Sequence, residues 1–254
     1  MYKKELLSSN NAKTIKGEKK QFKTFILYMS PFTLNSKGVN LCPMASEGCA
    51  NSCLFESGFG GIYTSVKQGR IDKTEFYLSN RIAFLDKLVA EISKLEAKFK
   101  DSEFTLAIRL NGTTDISYEK QITSNGKTIF DTFPNVIFYD YTKNYTRFRK
   151  PLPKNYHLTF SRSEINEEIA MDLLSKGHNV AMVFDKLPET YEGYKVINGD
   201  ETDLRFLDDK NVIVGLKYKK VTGKGGAEKN KEAMLDGFVI VTQAKVEKKL
   251  GKVA

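Results

Sequence analysis

The sequence predicts an α/β fold with mostly parallel strands. The expected architecture is a complete or partial (β/α) barrel, with a doubly wound open sheet as the alternative. Three observations carry this. Short runs rich in β-branched and aromatic residues alternate with helical stretches or connections of helix length. The runs are nearly continuous in apolar residues, as strands covered on both faces are. Nearly every run ends, on its C-terminal side, in a polar cluster. Parallel strands joined by right-handed crossovers would bring such ends to one rim.

In chain order, residues 1–21 read as a basic arm carrying Lys13, Lys16, Lys19 and Lys20. Phe22 to Met29 is the first strand and stops at Ser30-Pro31. A loop with Cys42, Cys49 and Cys53 follows, then a glycine-rich stretch over 57–62. That stretch resembles a phosphate cradle only in its glycines, because no Gly-Lys-Ser/Thr follows it. Residues 72–99 read as one helix, with Phe76, Phe84, Leu85, Leu88, Ile92 and Leu95 at helical spacing. Strands are expected at 104–110, 136–141, 157–160, 179–184, 195–197 and 212–216, with a possible edge strand at 237–241. A short helix is expected over 128–132. A longer one over 164–175 is capped by Ser163 and stopped by Gly177. Residues 145–154 read as a basic linker and 222–232 as a mobile loop. The whole reads as a single domain over 1–254, with a basic C-terminal extension over 222–254.

Composition restricts the function. A chain of 254 residues can bury a real core. No apolar run approaches membrane-spanning length, so no membrane partner is expected. The first residues have no apolar core of a signal peptide, and three cysteines are too few and too odd for a secreted disulfide scaffold. A reducing cytoplasm is the expected compartment. The net charge of +9 points to an anionic partner, nucleic acid or a nucleotide.

All three cysteines stand within one dozen residues, as C-x6-C-x3-C. Three thiolates can hold an iron–sulfur cluster with one iron open, or zinc with a more distant fourth ligand. The other reading is a structural loop. Only two histidines exist, His157 and His178, far apart in sequence. This excludes a three-histidine zinc site, and neither Gly-x-Ser-x-Gly nor His-Glu-x-x-His is present. Asp115, Asp140, Lys143 and Asp200 are the candidate catalytic groups. Arg109, Asn111, Ser161, Arg162, Lys217 and Lys219 are the candidate substrate-binding groups. Asp200 and Asp203 could hold a divalent cation, or sit at a helix start with Arg205 as partner. Arg109, Asp115, Asp140, Lys143, Ser161, Asp200 and Lys217 are expected to converge on one cavity.

Several stretches together resemble a bacteriophage family related to mycobacteriophage gene product 88. They are Asn40-Leu41-Cys42-Pro43-Met44-Ala45-Ser46 with Cys49 and Cys53, Arg109-Leu110-Asn111-Gly112-Thr113-Thr114-Asp115, Tyr139-Asp140-Tyr141-Thr142-Lys143, Leu158-Thr159-Phe160-Ser161, and Asn198-Gly199-Asp200-Glu201-Thr202-Asp203-Leu204-Arg205-Phe206. The resemblance implies a phage origin, and hence the cytoplasm of an infected bacterial host. It brings no activity with it. The cysteine loop after the first strand is also similar in position to that of radical S-adenosylmethionine enzymes. That similarity implies a [4Fe–4S] cluster on Cys42, Cys49 and Cys53 whose open iron would bind S-adenosylmethionine. The spacing differs from C-x3-C-x2-C, and Asn111-Gly112-Thr113-Thr114-Asp115 stands where Gly-Gly-Glu is usual. Two functions follow. One is a metal- or iron–sulfur-dependent phage enzyme acting on nucleic acid or a nucleotide. The other is a non-enzymatic nucleic-acid-binding, replication accessory or host-defence inhibitor protein with a structural cysteine loop.

Overall fold

A computed structural model describes residues 2–9, 12–53, 55, 63–221 and 225–242. The glycine-rich stretch over 57–62 lies outside the described residues. The chain is α/β, and among the described residues ten strands pair, mostly in parallel. Nine of them follow an open path and the tenth pairs beside it, so the sheet is not closed into the expected barrel and the open-sheet alternative fits. Two-residue strands that pair antiparallel stand at the ends of that path. Short antiparallel strands are how edges are ended rather than continued.

The chain divides into two compact units, each gathered from three stretches. The first takes residues 1–44, 63–158 and 202–207. The second takes 45–62, 159–201 and 208–254.

The first unit contains β1 (Leu7–Ser8), α1 (Ala12–Glu18), β2 (Phe22–Leu27), β3 (Thr105–Arg109) and β4 (Ile137–Thr142). β2, β3 and β4 run parallel in that order, and β1 lies antiparallel on β2. The arm expected over 1–21 thus contains a strand and a helix. Leu6 and Leu7 are buried, and the Glu91 carboxylate accepts both their N–H groups at 2.9 and 3.0 Å. The single helix expected over 72–99 is two helices, α3 (Thr64–Ser79) and α4 (Arg81–Phe99). Asn80 makes the break, because its side chain accepts the Ala83 N–H at 3.0 Å and starts α4 afresh. α4 buries Phe84, Leu85, Leu88 and Ile92 against a core that includes Leu27, Ile108 and Phe138. The short α5 (Ile129–Thr132) begins in a reciprocal capping box between Thr128 and Asp131.

The second unit contains α2 (Glu47–Asn51), α6 (Glu167–Ser175), β6 (Val180–Phe184), β7 (Thr190–Tyr191), β8 (Tyr194–Asn198), β9 (Ile213–Lys217), α7 (Gly226–Leu235) and β10 (Val239–Ile240). β6, β9 and β8 run parallel, and β7 folds back antiparallel on β8. The unit boundary falls inside β5 (Tyr156–Ser161). The edge of β6 away from β9 is shared: Phe160 and Ser161 pair with Val180 and Ala181, and β10 pairs with Val183 and Phe184. α6 starts later than the sequence suggests, because Asn166 takes the cap position and its carboxamide accepts the Ser163 N–H at 2.7 Å. α7 occupies much of the expected mobile loop.

Candidate functional site

In the first unit β3 and β4 are parallel neighbours, so the polar residues at their carboxyl ends meet. Asp140 is fully buried on β4. Its carboxylate accepts the Asn111 N–H at 2.7 Å, the Asn111 amide at 3.0 Å and the Tyr156 hydroxyl at 2.8 Å. The Asn111 carbonyl oxygen accepts from the Ile116 N–H and the Thr114 hydroxyl. Burial pushes the Asp140 carboxyl up to about 6, against the pull of Arg109, the Asn111 N–H and Arg147.

Arg147 ties this group to a second carboxylate. It grips Glu119 through Nε and Nη2 at 3.0 and 2.8 Å, reaches Asp115 at 3.2 Å, and donates to the Tyr156 hydroxyl at 2.7 Å. Its side chain is entirely buried. Asp115 also accepts the Thr142 hydroxyl at 2.7 Å and the Lys143 N–H at 2.9 Å. The structure therefore brings Asn111, Asp115 and Asp140 together, with Lys143 joining through its backbone. Each of the two aspartates is held by three groups. Chemically this is a closed, satisfied network, and a carboxylate so engaged is poorly placed to take a proton from a substrate. Sequence reasoning missed Arg147, Glu119 and Tyr156. Arg147 was hidden in a stretch that looked like a solvated basic run.

Arg109 ends β3 and faces Asp203 at 2.8 Å. Its guanidinium lies 4.7 Å over the Tyr141 ring, and the Tyr141 hydroxyl is 3.3 Å from the other Asp203 oxygen. Asp203 is thus held by Arg109, and the Arg205 guanidinium donates to the Thr202 carbonyl at 2.6 Å.

In the second unit the carboxyl ends of β6 and β9 stand side by side, with Phe184 opposite Lys217. Asp200, just past β8, accepts the Lys217 N–H at 2.9 Å and faces the Lys219 ammonium at 3.3 Å. Lys186, Lys217, Lys219 and Lys220 are all exposed. Asp200, Lys217 and Lys219 are therefore brought together here. Arg162 follows β5 at the point where β10 takes over the edge of β6. It donates to Glu167 and to the Gly237 and Phe238 carbonyls, and its own N–H goes to the Ala181 carbonyl at 2.9 Å. Its guanidinium pins the split edge and is committed there. Ser161 pairs within that edge. The seven residues expected to converge divide between the units, with Arg109, Asp115, Asp140 and Lys143 in the first and Ser161, Asp200 and Lys217 in the second.

The three cysteines are half-buried. In the first unit the Cys42 thiol lies 3.6 Å from the Thr113 carbonyl. In the second, Cys49 packs against Ala233, Phe238 and Val239, and the Cys53 sulfur accepts the Phe55 N–H at 3.4 Å. Glu164 organises α2 by accepting the Ser46 hydroxyl and the Gly48 N–H, both at 2.8 Å. A side chain at Gly48 would stand 2.7 Å from Phe238. Among the described residues, no three or more His, Cys, Asp and Glu are grouped to hold a metal ion.

A family model described as gene product 88 matches residues 5–236. The chain belongs to the gene product 88 family. This phage-type family pattern runs through both units, from before β1 to the end of α7. Neither the curated proteins nor the solved structures give a match. The similarity to radical S-adenosylmethionine enzymes gains no support from these comparisons. Among the described residues, no helix is long and apolar enough to cross a membrane.

Proposed function

We propose that this member of the gene product 88 family binds nucleic acid through phosphate contacts at the carboxyl edge of its second unit. The observation that supports it is the neighbouring ends of parallel β6 and β9, where Lys186, Lys217, Lys219 and Lys220 are exposed. Ligands of open α/β sheets bind outside the carboxyl ends of the strands. Flexible ammonium groups suit phosphates without selecting a base sequence. Two aspartates, Asp185 and Asp200, share the edge. Asp185 accepts the Thr242 N–H at 3.0 Å, and Asp200 is bound to Lys217 and Lys219. The net charge of +9 agrees in sign. Binding is favoured over catalysis because the candidates Asp115 and Asp140 are engaged in the buried network and Asp200 is engaged by Lys217 and Lys219.

Fluorescence anisotropy with single- and double-stranded DNA and with RNA, across a salt series, tests the proposal. Affinity should fall steeply with salt, by a logarithmic slope of about −0.7 to −0.9 per phosphate contacted. Reversing Lys217, Lys219 and Lys220 together to Glu should flatten that slope by about two to three units. No binding at low salt, or a slope unchanged by the reversal, defeats it. A metal-dependent enzyme is the second reading, resting on the C-x6-C-x3-C spacing of Cys42, Cys49 and Cys53. Iron and zinc determination on anaerobically purified protein and its single Cys→Ser variants tests that reading.

A further inference from the structure

We propose that the first unit binds a mononucleotide, a phosphorylated ligand bearing a flat aromatic ring, in the cavity between its N-terminal segment and the start of α3. The proposal is independent of the nucleic-acid reading, which concerns other residues in the second unit. The cavity measures about 400 Å³, and small-molecule sites begin at about 300 Å³. Tyr2, Lys4, Ser8, Tyr28, Arg70 and Lys73 line it.

The lining has the chemistry for both halves of such a ligand. Its described lining carries three cations, Lys4, Arg70 and Lys73, and one carboxylate, Glu5; Asp72 stands 3.8 Å from the Lys4 ammonium. Lys73 is held in place by donating to the Leu6 carbonyl at 2.6 Å. An ammonium has three donors, so this anchoring bond leaves capacity for a phosphate. Burial lowers the Lys73 pKa, and an arriving anion would reverse that cost. Arg70 lies 4.9 Å over the Tyr28 ring, and a guanidinium fork suits phosphate oxygens. Tyr2 and Tyr28 offer aromatic surface of the kind on which bases stack. Tyr2 is steadied by stacking on Phe76, with ring centroids 5.6 Å apart and planes 12° from parallel.

The placing of Tyr28 links the cavity to the Asn111-Gly112-Thr113-Thr114-Asp115 motif. A Cβ at Gly112 would stand 2.5 Å from the Tyr28 ring. Only glycine there lets the ring settle against the backbone after β3. The motif glycine, whose neighbours Asn111 and Asp115 serve the buried network, thus seats a wall of the cavity.

Gly69 supplies a clean test. It lines the cavity on α3, and a Cβ there meets nothing within 4 Å. Gly69→Leu should therefore fill the cavity without disturbing the fold, and loss of a helical glycine should hold or raise the melting temperature. Calorimetric titration of the full chain should show binding of AMP, GMP, CMP or UMP. Pyrophosphate should bind at least tenfold more weakly, and unphosphorylated adenosine more weakly still. Gly69→Leu should abolish the signal, and Arg70→Gln should weaken it at least tenfold, while DNA binding stays unchanged in both. Absence of binding by all four nucleotides at millimolar concentration overturns the proposal. Wild-type affinity in Gly69→Leu also overturns it. Inorganic phosphate binding as tightly as the nucleotides would eliminate the base and overturn the proposed ligand class.

Discussion

The carboxyl ends of β3 and β4 in the first unit, and of β6 and β9 in the second, carry the same kinds of residue and use them in opposite ways. Around Asp140 the charges are buried, and each of the two aspartates is matched by three donors. Around Asp200 the lysines stand in solvent, and the Lys219 partner is 3.3 Å away with more than half its side chain exposed. Position at a strand end therefore does not decide function. Solvent access does: it makes the first cluster a structural keystone and leaves the second able to exchange partners.

Removing Arg147 should break the comparison hardest. Arg147→Met strands Glu119 and Asp115, both nearly buried, and should cost about 3–5 kcal/mol in denaturant unfolding. Nucleic-acid affinity of the folded fraction should not move.

Asp140 comes next. Its carboxyl titrates near 3.8 in an unfolded chain and about 6 when buried. Between those values the folded protein holds a proton that the unfolded chain has lost. The stability this contributes is fully present below about 3.8 and is lost as pH rises through about 6. Thermal melts from pH 3.5 to 7 should show the wild type losing stability relative to Asp140→Asn across that window. The substitution itself should cost about 1–3 kcal/mol, because an amide cannot accept all three donors. Parallel pH profiles for the two proteins would show that Asp140 is not the buried titrating group.

Lys219→Ala should have the smallest effect on folding, about 0–1 kcal/mol, since exposed ion pairs contribute little. It should still weaken DNA binding at low salt. A larger stability loss would show that the second cluster is also structural.

The strands were legible because their signal is local. Phe22 to Leu27, Thr105 to Arg109 and Val180 to Phe184 are runs of apolar or β-branched residues broken only by Lys23 and Arg109, and they fold within a residue or two of where the sequence places them. The start of α3 was not legible, because its first turns bury little: only Thr74 and Tyr77 are buried along its length. Ring closure also lies beyond local signal, since it depends on which strands find partners at the ends of the path. In the candidate site, Asn111, Asp115 and Asp140 could be grouped from strand ends alone. Their partner Arg147 could not, because nothing in a basic stretch says which arginine turns inward. The cavity was equally hidden. Tyr28, Arg70 and Lys73 meet because α3 returns to the residues that follow β2, where Thr74 accepts the Ser30 N–H and Arg70 lies over Tyr28, and no spacing rule records that.

Arg109 and Asp203 are separated by 94 positions in the chain, yet they share one buried ion pair. Phe206 packs on Phe22 and Tyr139 in the same unit. A ribosome making this protein must therefore complete residues 159–201 of the second unit before it delivers the last piece of the first. No single cut yields two self-sufficient fragments, and a nascent chain halted before Thr202 would hold Arg109 without its counter-charge. The first unit is the earlier to begin but cannot be finished first.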